Sequence, residues 1–330
     1  MAQSLPDVLF RQRDDSYLRD LEVEAEYWNR EDDTLLSREA MPAVQSYVNR
    51  RLSGDPEKKW YEVIGDGREF REGCVLGAGP GDLERHLLQR HEGLRLTVYD
   101  IAVETLERLR SAVGSTLAER LETRQSDLNF AELPAATYDL VVAQSAIHHI
   151  VNLEHVAYQV NASLTDDGRF YMYDVVSESY FQFAEVKKRL HELLINATGD
   201  EHRLPLRVNW PDRANWTFSP FESVRSGDIL EVFGSYLVEE SRRTSSSLVG
   251  LTIFGVQQAT ESGITRFVRR ALQPLLLRAG RRGVITRGLT RGQLMFELDS
   301  LTCDTGYLEP GLAFVVYGKR GPDVQGNPSS

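Results

Sequence analysis

From residue 73 onward the chain repeatedly sets a short β-rich run before an amphipathic segment, and this alternation constrains its fold more than any other feature. The β-rich runs are "GCVLG" (73–77), "RLTVYD" (95–100), "DLVVAQ" (139–144) and "GRFYMYDVV" (168–176). Between them apolar residues return at helical spacing. Val103, Leu106 and Leu109 recur every third position, and Leu153, Val156, Ala157, Val160 and Leu164 share one helical face. Consecutive parallel strands need a crossover between them, so this alternation predicts a parallel sheet covered by helices on both sides.

The flanks read differently. Residues 1–72 are polar and mostly helical in pattern, a helical cap that packs on the core. After residue 177 the alternation fails. "YFQFAEVKKRLHELLINAT" has helical spacing, a Pro- and Trp-rich loop follows, and "SGDILEVFGSYLVEESRRTS" reads as a helix and then a strand. Two lid-like inserts, about 178–228 and 255–306, flank that sixth strand. A final strand, "GLAFVVYGKR" (311–320), precedes a loose tail over 321–330.

A net charge of −11 argues against a general nucleic-acid binder, which needs clustered Lys and Arg for phosphates. Cys74 and Cys303 are the only cysteines, too few for a disulfide framework or a thiolate metal cluster. With 41% hydrophobic residues and no 18-residue apolar run, the expected place is the cytoplasm.

The first β-rich run ends in "GAGPGD", with Gly77, Gly79 and Gly81 ahead of a helical pattern carrying Leu83, Leu87 and Leu88. Glycine permits a tight turn and lets a ligand touch backbone, and the following helix offers free N–H groups. A nucleotide-like ligand is expected at this sheet edge. A triphosphate would require G-x-x-x-x-G-K-[ST], and no Lys-Ser or Lys-Thr follows. A dinucleotide would require glycine at position 82, where Asp stands. The G-x-G-x-G pattern without a pyrophosphate signal suits S-adenosylmethionine; a glycine-rich turn with no ligand is the plain alternative.

Asp100 closes the second β-rich run, placed to accept the two hydroxyl hydrogens of a ribose, although an Asp there also serves as a helix cap. Asp127, in "RQSDLNF", is placed for an adenine amino group with Leu128 against the ring; an Asx turn explains Asp127 equally well. Together "VLGAGPGD", "VYD", "SDL" and "YDLVVAQSAIHHI" resemble the class I S-adenosylmethionine-dependent methyltransferases over residues 73 to 176. The segments "YFQF", "SPFESVRSGDIL" and "MFELDSLTCDTGYLEPGLAFVV" are similar to a bacterial branch of that family associated with glycosyltransferases and surface-glycan synthesis. The resemblance implies a Rossmann-like α/β fold with a seven-stranded, mostly parallel sheet and an antiparallel last strand. It further implies Gly77, Ala78, Gly79 and Gly81 around the methionine moiety, Asp100 and Ile101 at the ribose, Asp127 and Leu128 at the adenine, and Gln144 beside the cofactor.

Methyl transfer from a sulfonium is an in-line displacement, so alignment of nucleophile, methyl carbon and sulfur matters most. A hydroxyl acceptor profits from a general base. His148 and His149, on the loop after the fourth strand, are the first candidates, since a neutral imidazole accepts a proton near pH 7. Asp174, at the end of "RFYMYD", is another, and with Glu178 it could grip sugar hydroxyls. Histidines that only shape a pocket and an Asp that only caps a loop are the competing readings. No metal site is expected, because the remaining histidines are scattered and no carboxylate triad has metal spacing.

Acceptor recognition is expected in the additions. Tyr27, Trp28, Tyr180, Phe181, Trp210 and Trp216 could stack on a sugar face, unless they simply pack in the core. Glu222 and Arg225 stand at helical spacing, where they reach an acceptor or merely pair with each other. Residues 264–291 hold eight arginines and no Asp or Glu. This basic segment either contacts an anionic membrane at its inner face, receives a phosphorylated acceptor, or pairs with the acidic body of the chain.

The expectation is a methyltransferase of class EC 2.1.1.-, with S-adenosyl-L-methionine as cofactor and a hydroxyl of a sugar, glycan or small metabolite as acceptor. The alternatives are an NAD- or nucleotide-sugar-dependent Rossmann enzyme and a non-catalytic binding module, because this architecture hosts many activities.

Overall fold

A computed structural model describes residues 12–30, 42–65, 67–196, 206–211, 219–253, 256–258 and 291–321. Two helices come first, α1 (Asp15–Asn29) and α2 (Pro42–Leu52). Then follow β1 (Glu72–Leu76), α3 (Asp82–Arg90), β2 (Arg95–Asp100), α4 (Val103–Val113), β3 (Leu121–Gln125), β4 (Tyr138–Gln144), α5 (Leu153–Ser163) and β5 (Leu164–Val175). The second half holds α6 (Glu185–Asn196), β6 (Leu206–Val208), α7 (Ile229–Tyr236), β7 (Val238–Ser245), β8 (Val256–Gln258), α8 (Arg291–Asp304) and β9 (Leu312–Gly318).

Seven strands form one sheet in the order β3-β2-β1-β4-β5-β9-β7, and β6 pairs with β8 in a separate ribbon. β1 through β5 pair in parallel. β9 runs antiparallel to both neighbours, β5 and β7. The expected α/β architecture, with its antiparallel last strand, is the one observed. β7 is the outer edge; its exposed Glu239, Glu240, Arg242 and Arg243 discourage pairing with another chain.

Successive side chains of a strand face opposite sides, and the core divides accordingly. Val75, Val98, Val142, Tyr171 and Phe314 face one layer, filled by Leu87 and Leu88 of α3, Leu106 and Leu109 of α4, and Trp60. Cys74, Val141, Phe170, Met172 and Tyr317 face the other, filled by Leu153, Val156 and Val160 of α5 and Phe233 of α7. Of the helical spacings noted above, Leu106 and Leu109 and then Leu153, Val156, Ala157 and Val160 are these buried stripes, whereas Val103 is exposed and Leu164 begins β5. α2 is tied down by Tyr47, which stacks on Phe296 and donates to Asp299 of α8 at 2.7 Å. Asp299 also accepts the backbone N–H groups of Ser246, Leu248 and Val249, which fixes α8 to the loop after β7.

Among the described residues no helix is long and apolar enough to cross a membrane. Residues 264–290 of the Arg-rich segment, Trp216 and residues 322–330 lie outside the described residues.

Candidate functional site

The carboxyl ends of β1, β2 and β4 meet where the parallel sheet changes direction of growth, the usual ligand position of such sheets. Two backbone loops touch there. Gly77 has a φ of +85°, and a Cβ on it would stand 2.4 Å from the Cβ of Ala146. Only glycine lets the β1–α3 loop lie so close to the loop after β4. Gly81, at φ +96°, begins α3 and packs against Leu109 and Ala112 of α4. The third glycine therefore serves helix packing, and Gly79 faces open space.

Asp100 binds this loop to the next strand. Its Oδ2 accepts the Ala78 N–H at 2.7 Å and its Oδ1 accepts the Ala102 N–H at 2.7 Å. Burial raises its pKa, and those backbone donors work against the rise. Each carboxylate oxygen retains a lone pair for a further donor.

α1 lies across the mouth of the cleft. Asp14 caps it by accepting the Tyr17 N–H at 2.8 Å. Tyr17, Leu21, Glu24 and Trp28 follow one another at intervals of four, three and four, so they share the inward face. Tyr17 is fully buried and its hydroxyl meets both oxygens of Asp127. Asp127 also forms the Asx turn to the Asn129 N–H, at 3.0 Å.

Beneath α1 a cavity of about 100 Å³ is walled on one side by Gly77, Ala78, Asp100 and Ile101. Asp127, Leu128 and Gln144 close its flank. Leu21, Glu24, Trp28, His149, Ile150 and Phe221 also line it. A second cavity, about 570 Å³, shares Leu21, Ile101 and Asp127 and extends past Arg13 and Phe130. Gly79 and Gly81 line neither.

The loop after β4 is shaped by Asp174. This fully buried carboxylate accepts the N–H groups of Ala146 at 3.0 Å and Ile147 at 2.8 Å, and lies 2.6 Å from His148 Nδ1. Ser145, at φ +49°, makes the bend that turns those N–H groups inward. Asp174 thus organises the loop through the N–H groups it accepts, and it does not line the cavity.

His148 also departs from expectation. Burial would lower its pKa, but Asp174 and Glu222 outweigh that and push it up to about 10. The two carboxylates hold its ring inside the loop, and it does not line the cavity. His149 is the ring that reaches the cavity. Its Nδ1 lies 3.1 Å from Glu24 Oε1, its Nε2 3.6 Å from Glu222 Oε2, and Trp28 meets its ring edge-on at 5.1 Å. Burial raises the Glu222 pKa, yet His149 and His148 overcome this and hold it down at about 2. Glu24 is likewise lowered, against its burial, by His149 and by Trp28, which donates to it at 2.7 Å.

The other expected acceptor residues disperse. Glu178 pairs with the buried Lys187 at 2.8 Å. Arg225 is buried against Glu154 and Asp228, not paired with Glu222. Phe181 packs with Phe183, Val208 and Leu251, and Tyr180 packs beside Phe221 and Tyr17. Tyr27 sits edge-on to Trp28 outside the cavity wall. Trp210 donates to Glu192 on α6. Tyr17, Leu21, Glu24 and Phe221 were missed; the shared helical face of the first three was the available signal.

The strand order, the glycine turn at β1 and the carboxylate ending β2 together define a Rossmann-like nucleotide-binding architecture. Residues 75–170, from within β1 into β5, match the family model described as a methyltransferase domain. No curated protein matches the chain. Among solved structures it is similar to geranyl diphosphate C-methyltransferase from Streptomyces coelicolor A3(2), at 14% identity and a TM-score of 0.47 over 91% of this chain and 98% of that one. It is similar to the StiE O-MT (residues 961–1257), at 16% identity and a TM-score of 0.45 over 90% and 81%. A third similar structure is an S-adenosylmethionine-dependent methyltransferase from Mesorhizobium loti, at 15% identity and a TM-score of 0.40 over 76% and 91%.

Proposed function

We propose that this chain transfers a methyl group from S-adenosyl-L-methionine to a hydroxyl of a sugar, glycan or small metabolite. The observation that carries the reading is one cavity shared by two kinds of wall. Gly77, Ala78 and Asp100 offer backbone and a carboxylate, and His149, Glu24 and Trp28 line the same cavity.

The cofactor's amino-acid part lies against the Gly77–Ala78 turn, its ribose at Asp100 and its adenine beside Asp127 and Leu128. The acceptor oxygen lies toward His149 in line with the methyl carbon and sulfur. As the oxygen–carbon bond forms and the carbon–sulfur bond breaks, the hydroxyl proton passes to His149, with Glu24 and Glu222 beside the resulting charge. Trp28 and Phe221 supply flat apolar faces and Glu24 an acceptor for hydroxyls, a combination suited to a sugar ring. The domain limits proposed are a cap over 1–72 and a catalytic domain over 73–320.

Calorimetric titration with S-adenosylhomocysteine tests the cofactor, and homocysteine release with a panel of sugar and small-molecule hydroxyl acceptors tests the reaction. Binding by the wild-type chain that is lost in Asp100→Ala is expected. A chain that instead binds NADH and ignores S-adenosylhomocysteine would overturn the reading.

A further inference from the structure

His148 and His149 are consecutive, yet both turn the same edge toward one carboxylate. Glu222 Oε1 lies 3.5 Å from His148 Nε2, and Glu222 Oε2 lies 3.6 Å from His149 Nε2. These separations exceed a good nitrogen–oxygen hydrogen bond. They leave room for a cation shared by the two rings and the carboxylate, each donor about 2.0–2.2 Å away. One donor atom from each of the three side chains falls within 4.8 Å of the other two. Behind the rings, each Nδ1 faces its own buried carboxylate, Asp174 for His148 at 2.6 Å and Glu24 for His149 at 3.1 Å. The second contact is poorly directed, and neither ring nitrogen of His149 makes a well-aligned hydrogen bond among the described residues. A carboxylate on the far nitrogen is the arrangement that fixes a metal-binding imidazole and raises its basicity.

We propose that His148 Nε2, His149 Nε2 and the Glu222 carboxylate form a binding site for a divalent first-row transition cation, oriented by Asp174 and Glu24. Two buried carboxylates, Asp174 and Glu24, and the half-buried Glu222 surround two imidazoles, and a divalent cation balances that concentration of carboxylates. Two imidazoles and one carboxylate favour zinc, iron(II) or cobalt(II) over magnesium or calcium, which prefer all-oxygen shells. Three protein ligands leave a coordination position open. Of the three, His149 lines the cavity, whereas His148 and Glu222 do not. In this respect alone the inference rests on the methyltransferase reading: an open position would hold the acceptor's oxygen and lower its hydroxyl pKa, the proton leaving to solvent water as the oxygen–carbon bond forms and the carbon–sulfur bond breaks. Glu222 lies 73 residues beyond His149 in the chain, which is why no metal spacing was visible in the sequence.

The test is a titration of the full chain, stripped with a chelator, with cobalt(II), followed by visible absorption and repeated calorimetrically with zinc(II). Magnesium is the control, and S-adenosylhomocysteine binding is measured on the same samples. One cobalt per chain with ligand-field bands is expected, with no magnesium uptake. His149→Ala and Glu222→Gln should each weaken binding at least ~10-fold, and Asp174→Asn about 10- to 100-fold. Circular dichroism identifies variants that remain folded. A wild-type chain that binds S-adenosylhomocysteine but takes up no cobalt would overturn the metal site alone. So would unchanged uptake in folded His149→Ala and Glu222→Gln. Cobalt uptake without S-adenosylhomocysteine binding would uphold the site and remove the methyl-donor reading.

Discussion

The Tyr17 hydroxyl stands 3.0 Å from Asp127 Oδ1 and 2.8 Å from Oδ2, joining the first described helix to the loop after β3 across 110 residues of sequence. This bond latches α1 over the cleft. A hydrogen bond to a charged group contributes about 1.5–3 kcal/mol. Tyr17→Phe keeps the ring packing against Phe130 and Phe221 while removing the latch. The variant should lose roughly 1–2 kcal/mol in urea unfolding. Limited proteolysis should cut within α1 faster than in the wild type. Unchanged cleavage would mean that ring packing alone holds the helix.

Asp100 contributes acceptors on both oxygens. Asp100→Asn preserves shape but replaces one acceptor with a donor facing the Ala78 or Ala102 N–H. S-adenosylhomocysteine affinity should fall at least ~10-fold, the effect of losing one charge-assisted hydrogen bond. Calorimetry of the folded variant decides it, and full affinity would detach Asp100 from the cofactor.

Gly77→Ala places a methyl 2.4 Å from the Ala146 Cβ at a left-handed φ. The loop after β4 must retreat, carrying His149 with it. A stability loss of about 1–3 kcal/mol is expected from strain and overpacking. Gly79→Ala meets no atom within 4 Å and should stay near wild type. Comparing the two melting temperatures tests the asymmetry; equal losses would contradict it.

Glu84 supplies the pH prediction. It is 1% exposed on α3, neither oxygen has a hydrogen-bond partner among the described residues, and burial pushes its pKa from 4.5 up to about 7. The folded chain then binds more protons than the unfolded chain between about pH 4.5 and 7, so stability falls as pH rises through that window and levels off above it. Glu84→Gln removes the titration. Relative to wild type the variant should gain up to about 3 kcal/mol between pH 4.5 and 8 in urea unfolding. A difference independent of pH would exclude Glu84 as the cause.

The parallel strands and their helices were legible because each carries a pattern of its own. Val75, Val98 and Val142 alternate with residues of the opposite face, and the α4 and α5 stripes lie within single segments. The glycine turn and Asp100 were legible for the same reason, since one strand and one loop specify them. What escaped notice depends on partners far apart in sequence. The 2.6 Å contact of His148 with Asp174 spans 26 residues and has no pattern in the sequence. Glu222 and Arg225, three apart, were open to being read as a pair, but Glu154 takes the arginine and the histidines take the glutamate. Glu178 looked available until the buried Lys187 claimed it.

The place of β9 has a consequence for how the chain matures. Among the described residues β7 finds its sheet neighbour only in β9, which lies between it and β5. On a ribosome that emits the chain from its amino terminus, β1 to β5 can assemble early while the β5 margin stays bare and β7 waits unpaired. Completion of the sheet is deferred until residues 312–318 arrive, so stalled or shortened products ending before Leu312 should expose that margin and aggregate.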